Sequence, residues 1–219
     1  MAKPISKTLR TFMKVYFVRH GESESNQQKI RLGPSASLTQ TGREQAQLVA
    51  NRLKLIQVDR ILTSPYPRAS QTAEIIQKTI TSELHIHDDI HEIKSPSVYL
   101  GRSNDDPEVI ALDELRWQNF KDETWHHSDE ENLADSRTRA KKFIHQLSDM
   151  SDDTIIVVTH ANFLRTLLAE MVFGEILSTD IYRCFAMGIV LGNTGITVVE
   201  NRTDGSWKII TLNDLTHLE

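Results

Sequence analysis

Three short apolar runs, Lys14 to Arg19, Arg60 to Ser64 and Thr154 to His160, constrain this chain more than any other feature. Each is rich in β-branched residues, and each is followed by a longer segment with helical periodicity. Continuous apolarity over so few residues marks a strand covered on both faces, and such strands belong to parallel sheets flanked by helices. The alternation runs on without an internal repeat or low-complexity linker. It predicts an α/β fold of three layers, α/β/α, around a central, mostly parallel sheet. At 219 residues the chain suits a single domain over 1–219, able to bury roughly two-thirds of its unfolded surface without disulfides or a structural metal.

Local signals fill in the order of elements. Thr41-Gly42-Arg43-Glu44 has capping-box spacing, and Ala46, Val49, Ala50, Leu53 and Ile56 recur at helical intervals, predicting a helix over about 41–56. Pro65 and Pro67 suit the first turn of a second helix, whose buried stripe is Ala69, Ala73, Ile76 and Ile80. Leu84 to His87 reads as a further strand, and Leu133 to Leu147 and Asn162 to Val172 as helices. Asp204-Gly205 marks a turn between Gly195–Glu200 and Trp207–Leu212, hence a hairpin or antiparallel edge. From about 94 to 132, prolines, acidic residues, two tryptophans and His126-His127 break the alternation. That stretch reads as a lid-like insertion over one end of the sheet, where substrate choice usually resides. The first dozen residues, MAKPISKTLRTF, read as a short basic tail, because the apolar run Val15 to Val18 is too short for a signal segment.

Charge narrows the partners. A net charge of −5 and a pI near 6.0 argue against nucleic-acid or anionic-membrane binding, which needs a broad basic face. No run of 18 apolar residues exists to span a bilayer. Any anion site must therefore be local, and the three strands point to one. They end in Arg19-His20, in the segment leading to Arg68, and in His160. Ligands of open α/β sheets sit at the carboxyl ends of parallel strands, so these groups should converge. Helix N-termini after Ser64 and His160 would add free amides, completing a pocket shaped for a phosphoryl group.

Arg19-His20-Gly21-Glu22-Ser23, followed by Asn26, resembles the signature of the phosphoglycerate mutase-like histidine phosphatases. Leu38-Thr39 and Gly42, the segment Thr63-Ser64-Pro65 to Arg68 with Gln71-Thr72-Ala73, and Thr159-His160 follow in the family's order and spacing. The resemblance covers about residues 13 to 92, resumes near 132 and continues through about 173. It implies a phosphatase acting on a phosphate monoester, with His20 as the nucleophile that carries the phosphoryl group. Arg19, Asn26, Arg68 and His160 are implied as its phosphate-binding groups. Neighbouring positive charge should keep the His20 imidazole neutral, and its second nitrogen should donate to a backbone carbonyl. The family's acid maps onto Glu92, with Asp88 and Asp89 as rivals, because Ile93-Lys94-Ser95-Pro96-Ser97 replaces the glycine-rich stretch that often follows. Ala161 stands where many members have glycine, and Glu22 reads as a support to the pocket rather than a reacting group.

No cofactor or metal is implied, since arginines supply the charge. His85, His87 and His91, and likewise His126-His127 with Asp129, Glu130 and Glu131, could recruit a divalent ion but read as solvated histidines. Trp117, Phe120 and Trp125 read as anchors packing the insertion onto the domain, with a substrate platform as the other reading, and Cys184 reads as core. A single cysteine forms no internal disulfide, which fits a reducing compartment, with cytoplasm as the default. The expected partner is a small phosphorylated metabolite, with a phosphoprotein as the other candidate. Oligomeric state is left open. Two rivals stand beside hydrolysis: phosphoglycerate mutase-type transfer, and a non-catalytic phosphate-binding module.

Overall fold

The computed structural model describes residues 12–219, so the expected basic tail, Phe12 apart, lies outside the described residues. The first half of the chain runs β1 (Phe12–Arg19), α1 (Glu24–Gln28), α2 (Gln40–Leu53), β2 (Arg60–Thr63), α3 (Pro67–Ile80) and β3 (Glu83–Ile86). The second half runs α4 (Pro107–Gln118), α5 (Leu133–Asp149), β4 (Thr154–Thr159), α6 (Ala161–Phe173), α7 (Thr179–Gly188), β5 (Ile196–Arg202) and β6 (Trp207–Asp214).

The six strands form one sheet in the order β3-β2-β4-β1-β5-β6. The pairings β3 with β2, β2 with β4 and β4 with β1 are parallel, and β5 runs antiparallel to both β1 and β6. Strand alternation sends neighbouring side chains to opposite faces, and the core divides accordingly. Met13, Val15, Phe17, Ile155 and Val157 pack with Ala140, Phe143 and Leu147 of α5 and Phe163, Leu164, Leu167 and Leu168 of α6. Val18, Ile61, Ile156 and Val158 pack with Val49, Ala50 and Leu53 of α2 and Ala69, Ala73 and Ile76 of α3. Two cores on one sheet explain why its central strands are apolar on both faces, and the expected three-layer α/β/α architecture is present.

Differences from the expectations have physical causes. The helix expected over 41–56 stops at Leu53, and Ile56 reaches the same core from the turn beyond it. The irregular stretch 94–132 contains α4, whose Asp106 caps the Glu108 amide at 2.9 Å with Pro107 in the first turn. Charge on most faces of α4 hides its period. Helix α7 was not anticipated, and this corrects Cys184. Tyr182, Phe185 and Ala186 turn toward the core, which leaves Cys184 on the exposed face. The hairpin expected around Asp204-Gly205 joins β5 to β6, and Gly205 takes φ +79 as that turn requires.

The stretch 94–132 is fastened at both ends. At its base the Glu131 amide donates to the Lys94 carbonyl at 2.9 Å. Further out, residues 101–104 hydrogen-bond to Lys29 and Arg31 in the loop after α1, and the fully buried Tyr99 lies under the Arg31 guanidinium at 4.8 Å.

Candidate active site

Parallel strands deliver their carboxyl ends to one edge of the sheet. Arg19, His20, Asn26, Arg68 and Glu92 meet there around a cleft of about 610 Å³. His160, also at that edge, is fully buried, its ring centroid 5.0 Å from that of His20.

His20 is held by two glycines in close backbone contact. A side chain on Gly21 would meet the Gly42 carbonyl oxygen at 2.4 Å, and one on Gly42 would meet the Glu22 carbonyl oxygen at 2.0 Å. Only glycine at both positions lets the turn after β1 seat on the start of α2. The seat is pinned by hydrogen bonds: Gly21 N donates to Thr72 Oγ1 at 3.1 Å and Leu38 N to Gln71 Oε1 at 2.9 Å. Thr39 Oγ1 donates to Glu22 Oε1 at 2.7 Å and accepts from Gly42 N at 3.0 Å. Glu22 thus ties the turn to the cap of α2.

His20 Nδ1 donates to the Gly21 carbonyl at 2.7 Å. A carbonyl can only accept, so this contact assigns the proton to Nδ1 and leaves the lone pair on Nε2. Burial depresses the His20 pKa well below its ordinary value, and the Arg68 and Arg19 charges add to the depression. His160 is likewise pushed well down, first by burial and then by His20 and Arg68. Its Nε2 lies 2.8 Å from Ser64 Oγ, while its Nδ1 is buried without a partner.

The guanidiniums are oriented by carbonyls. Arg19 Nη1 donates to Leu191 O at 2.6 Å and Arg68 Nη1 to Gly33 O at 3.0 Å. Arg68 also stands over the Tyr66 ring at 5.1 Å. Burial lowers both arginine pKa values, and Glu92 is the chief charge opposing that shift in each. Two largely buried cations facing one carboxylate leave the cleft short of negative charge, which favours an anionic ligand.

Glu92 follows β3 and caps α6. Its Oε1 accepts from Ile93 N and Phe163 N, both at 2.9 Å, and its Oε2 accepts from Asn162 N at 3.2 Å. The loop beneath it is held by Arg139 of α5, which donates to Asp89 O and His91 O at 2.8 Å and forks onto both oxygens of Glu131. The rival Asp89 pairs instead with Lys142 at 2.9 Å, and neither it nor Asp88 lines the cleft.

Asn26 Oδ1 accepts from Ser23 N at 3.2 Å, Ser23 Oγ at 3.0 Å and Asn193 Nδ2 at 3.4 Å. Asn193 also donates to His20 O at 3.0 Å. Ser64, Asn193, Leu191 and Arg165 are site residues that sequence reasoning did not single out for a role. The Gly192-Asn193-Thr194-Gly195 run was the available signal for the loop, and Leu191 acts through its backbone, which no side-chain pattern reports.

The candidate metal groups do not assemble. His85 lies 3.3 Å from Glu83, His87 packs on Phe143 and His91 stacks on Tyr66. Asp129, Glu130 and Glu131 each pair with a different cation, Lys94, Arg116 and Arg139. Of the aromatic anchors, Phe120 stacks on Tyr182 at 6.0 Å, whereas Trp117 is 48% exposed.

A doubly covered sheet with paired histidines and arginines along its carboxyl edge defines the class: an α/β enzyme built to handle phosphate esters. The chain belongs to the histidine phosphatase superfamily (branch 1), whose sequence model matches residues 15–215. It is 39% identical over 107 residues to a probable phosphoglycerate mutase, GpmB, of Photorhabdus laumondii, a match spanning 48% of this chain and about half, 48%, of that relative. A probable phosphatase of Schizosaccharomyces pombe is 28% identical over 218 residues, covering 94% of this chain and 96% of its own. Among solved structures, Bacillus stearothermophilus YhfR superposes with a TM-score of 0.81 at 24% identity, over 94% of this chain and 100% of that one. A phosphoserine phosphatase from Entamoeba histolytica, in complex with phosphoserine, superposes with 0.73 at 25% identity, over 94% and 100%. No helix among the described residues is long and apolar enough to cross a membrane.

Proposed function

We propose that this chain hydrolyses a phosphate monoester through a phosphohistidine on His20, with Glu92 as general acid and then general base. The observation that carries the reading is the His20 Nδ1 bond to Gly21 O, which leaves a neutral Nε2 beside two buried guanidiniums. Nε2 attacks phosphorus, the bond from phosphorus to the ester oxygen breaks, and Glu92 gives its proton to the departing oxygen. Water then attacks the phosphohistidine and passes a proton to Glu92, the N–P bond breaks, and phosphate leaves. Arg19, Arg68, Asn26 and His160 bind the oxygens on which charge redistributes during transfer. Oε2 of Glu92, engaged only at 3.2 Å, is the oxygen suited to carry the proton. Guanidiniums supply the positive charge, so the chemistry calls for neither cofactor nor metal.

The substrate is a small phosphorylated metabolite, a reading supported by the likeness to the phosphoserine-bound Entamoeba enzyme. The segment 94–132 acts as a lid on a single-domain enzyme, and the cytoplasm is its compartment. Phosphate release across a panel of esters tests the proposal: His20→Ala should lower turnover by at least ~10³-fold, and full turnover by that variant would overturn the assignment. Relatives named as probable phosphoglycerate mutases keep one second reading, in which the phosphohistidine returns its group to substrate rather than to water. Isomerisation of 3-phosphoglycerate without phosphate release would establish it instead.

A further inference from the structure

The cleft at His20 continues into a second hollow of about 430 Å³ that runs out between α4 and α7. Asn162 and Arg165 border both. Beyond them the hollow is walled by aromatic and apolar groups. Trp117 and Phe120 lie 5.5 Å apart, Phe120 stacks on Tyr182, and Met187 is 66% exposed nearby. Such a surface is costly to leave in water and suits a ligand of comparable breadth.

The charges along the hollow sort into two groups. Asp113 pairs with Arg31 at 2.7 Å and with Arg116 at 3.6 Å, and Arg116 pairs again with Glu130 at 2.9 Å. These groups neutralise one another. Arg165 and Arg183 differ, since neither has a carboxylate within ion-pair distance among the described residues. Arg165 donates from Nη1 to Asn162 Oδ1 at 2.8 Å, and its Nε is buried with no partner. Arg183 spreads over the Trp117 ring at 5.2 Å. Two uncompensated guanidiniums on an aromatic wall, beside a pocket that takes the phosphoryl group, fit a particular leaving group.

We infer that this hollow is the leaving-group subsite, and that it takes an organic group with an extended apolar or aromatic face bearing a second negative charge, held by Arg165 and Arg183. The inference rests on the reading that the phosphoryl group binds at His20.

Binding to the His20→Ala protein tests this without turnover, using phenyl phosphate, 2-naphthyl phosphate and 6-carboxy-2-naphthyl phosphate in calorimetry. The naphthyl ester should bind several-fold tighter than the phenyl ester, and the carboxylate should add about tenfold, as a charge-assisted contact does. Adding Arg183→Ala should remove most of the carboxylate increment and leave phenyl phosphate affinity unchanged. Adding Trp117→Ala should remove the naphthyl advantage. Equal affinity for the two naphthyl esters overturns the inference, as does an increment that survives both Arg183→Ala and Arg165→Met. Wild-type protein that binds with these preferences yet releases no phosphate would sink the hydrolytic reading alone, whereas failure of all three probes to bind would sink both.

Discussion

At the scale of single residues, Glu92 shows best how two demands meet on one side chain. It closes the N-terminus of α6 through the Asn162 and Phe163 amides while facing the cleft. Glu92→Gln keeps an acceptor for the helix but cannot give up a proton as a carboxylic acid does. Turnover of an alkyl phosphate should therefore fall by roughly 10² to 10⁴, and p-nitrophenyl phosphate, whose leaving group needs no proton, should suffer far less. Steady-state kinetics on the two esters checks this. The two buried histidines carry a second expectation. Their folded pKa values are depressed, so below pH ~6.5 the unfolded chain binds protons that the folded chain refuses. Stability then falls as pH drops through that value, by up to about 1.4 kcal/mol per pH unit for each histidine. Urea midpoints between pH 7 and 5 should show the decline, and His160→Asn should flatten it. The gathering of Arg19, His20, Arg68 and His160 near one sheet edge was legible in the sequence because Arg19 and His20 close one apolar run, His160 follows another, and Arg68 stands in the first turn of the helix after a third. Ser64 and Asn193 were not assigned roles, since their partners lie 96 and 173 positions away along the chain.

At the scale of elements, the turn after β1 and the start of α2 behave as one unit, because Gly21 and Gly42 touch backbone to backbone. Gly42→Ala should cost about 1–3 kcal/mol, the usual range for overpacking a tight site, and should lower activity together with stability because the His20 turn shifts with it. Denaturant unfolding and phosphate release on the same preparation would show the two losses together. The strands and the helices at either side of them were readable because their apolar periods are strong and their caps conventional. Helices α4 and α7 escaped for opposite reasons. In α4 the charged side chains blur the apolar stripe, whereas in α7 the stripe is plain once Tyr182, Phe185 and Ala186 are seen on one side. Cys184 was misassigned because an apolar neighbourhood in sequence says nothing about which way a helix turns each residue.

Across the whole molecule, Arg139 joins parts that are far apart in the chain. From α5 it grips two carbonyls below Glu92, both oxygens of Glu131 at the base of the 94–132 segment, and the Phe163 ring of α6 at 4.1 Å. Arg139→Met should loosen the mounting of Glu92 and lower kcat on the order of 10-fold, with KM for a small ester little changed and helix content by circular dichroism retained. The reversed direction of β5 has a consequence of another kind. That strand brings its beginning, not its end, to the catalytic edge, since Ile196 pairs with Val18 there while Arg202 pairs with Phe12 at the opposite rim. The bend at Asp204-Gly205 therefore hangs at the remote pole of the sheet. A fluorescent reporter or affinity handle spliced between those two residues should travel with a working enzyme, giving biosensor builders an attachment point that the chemistry never visits.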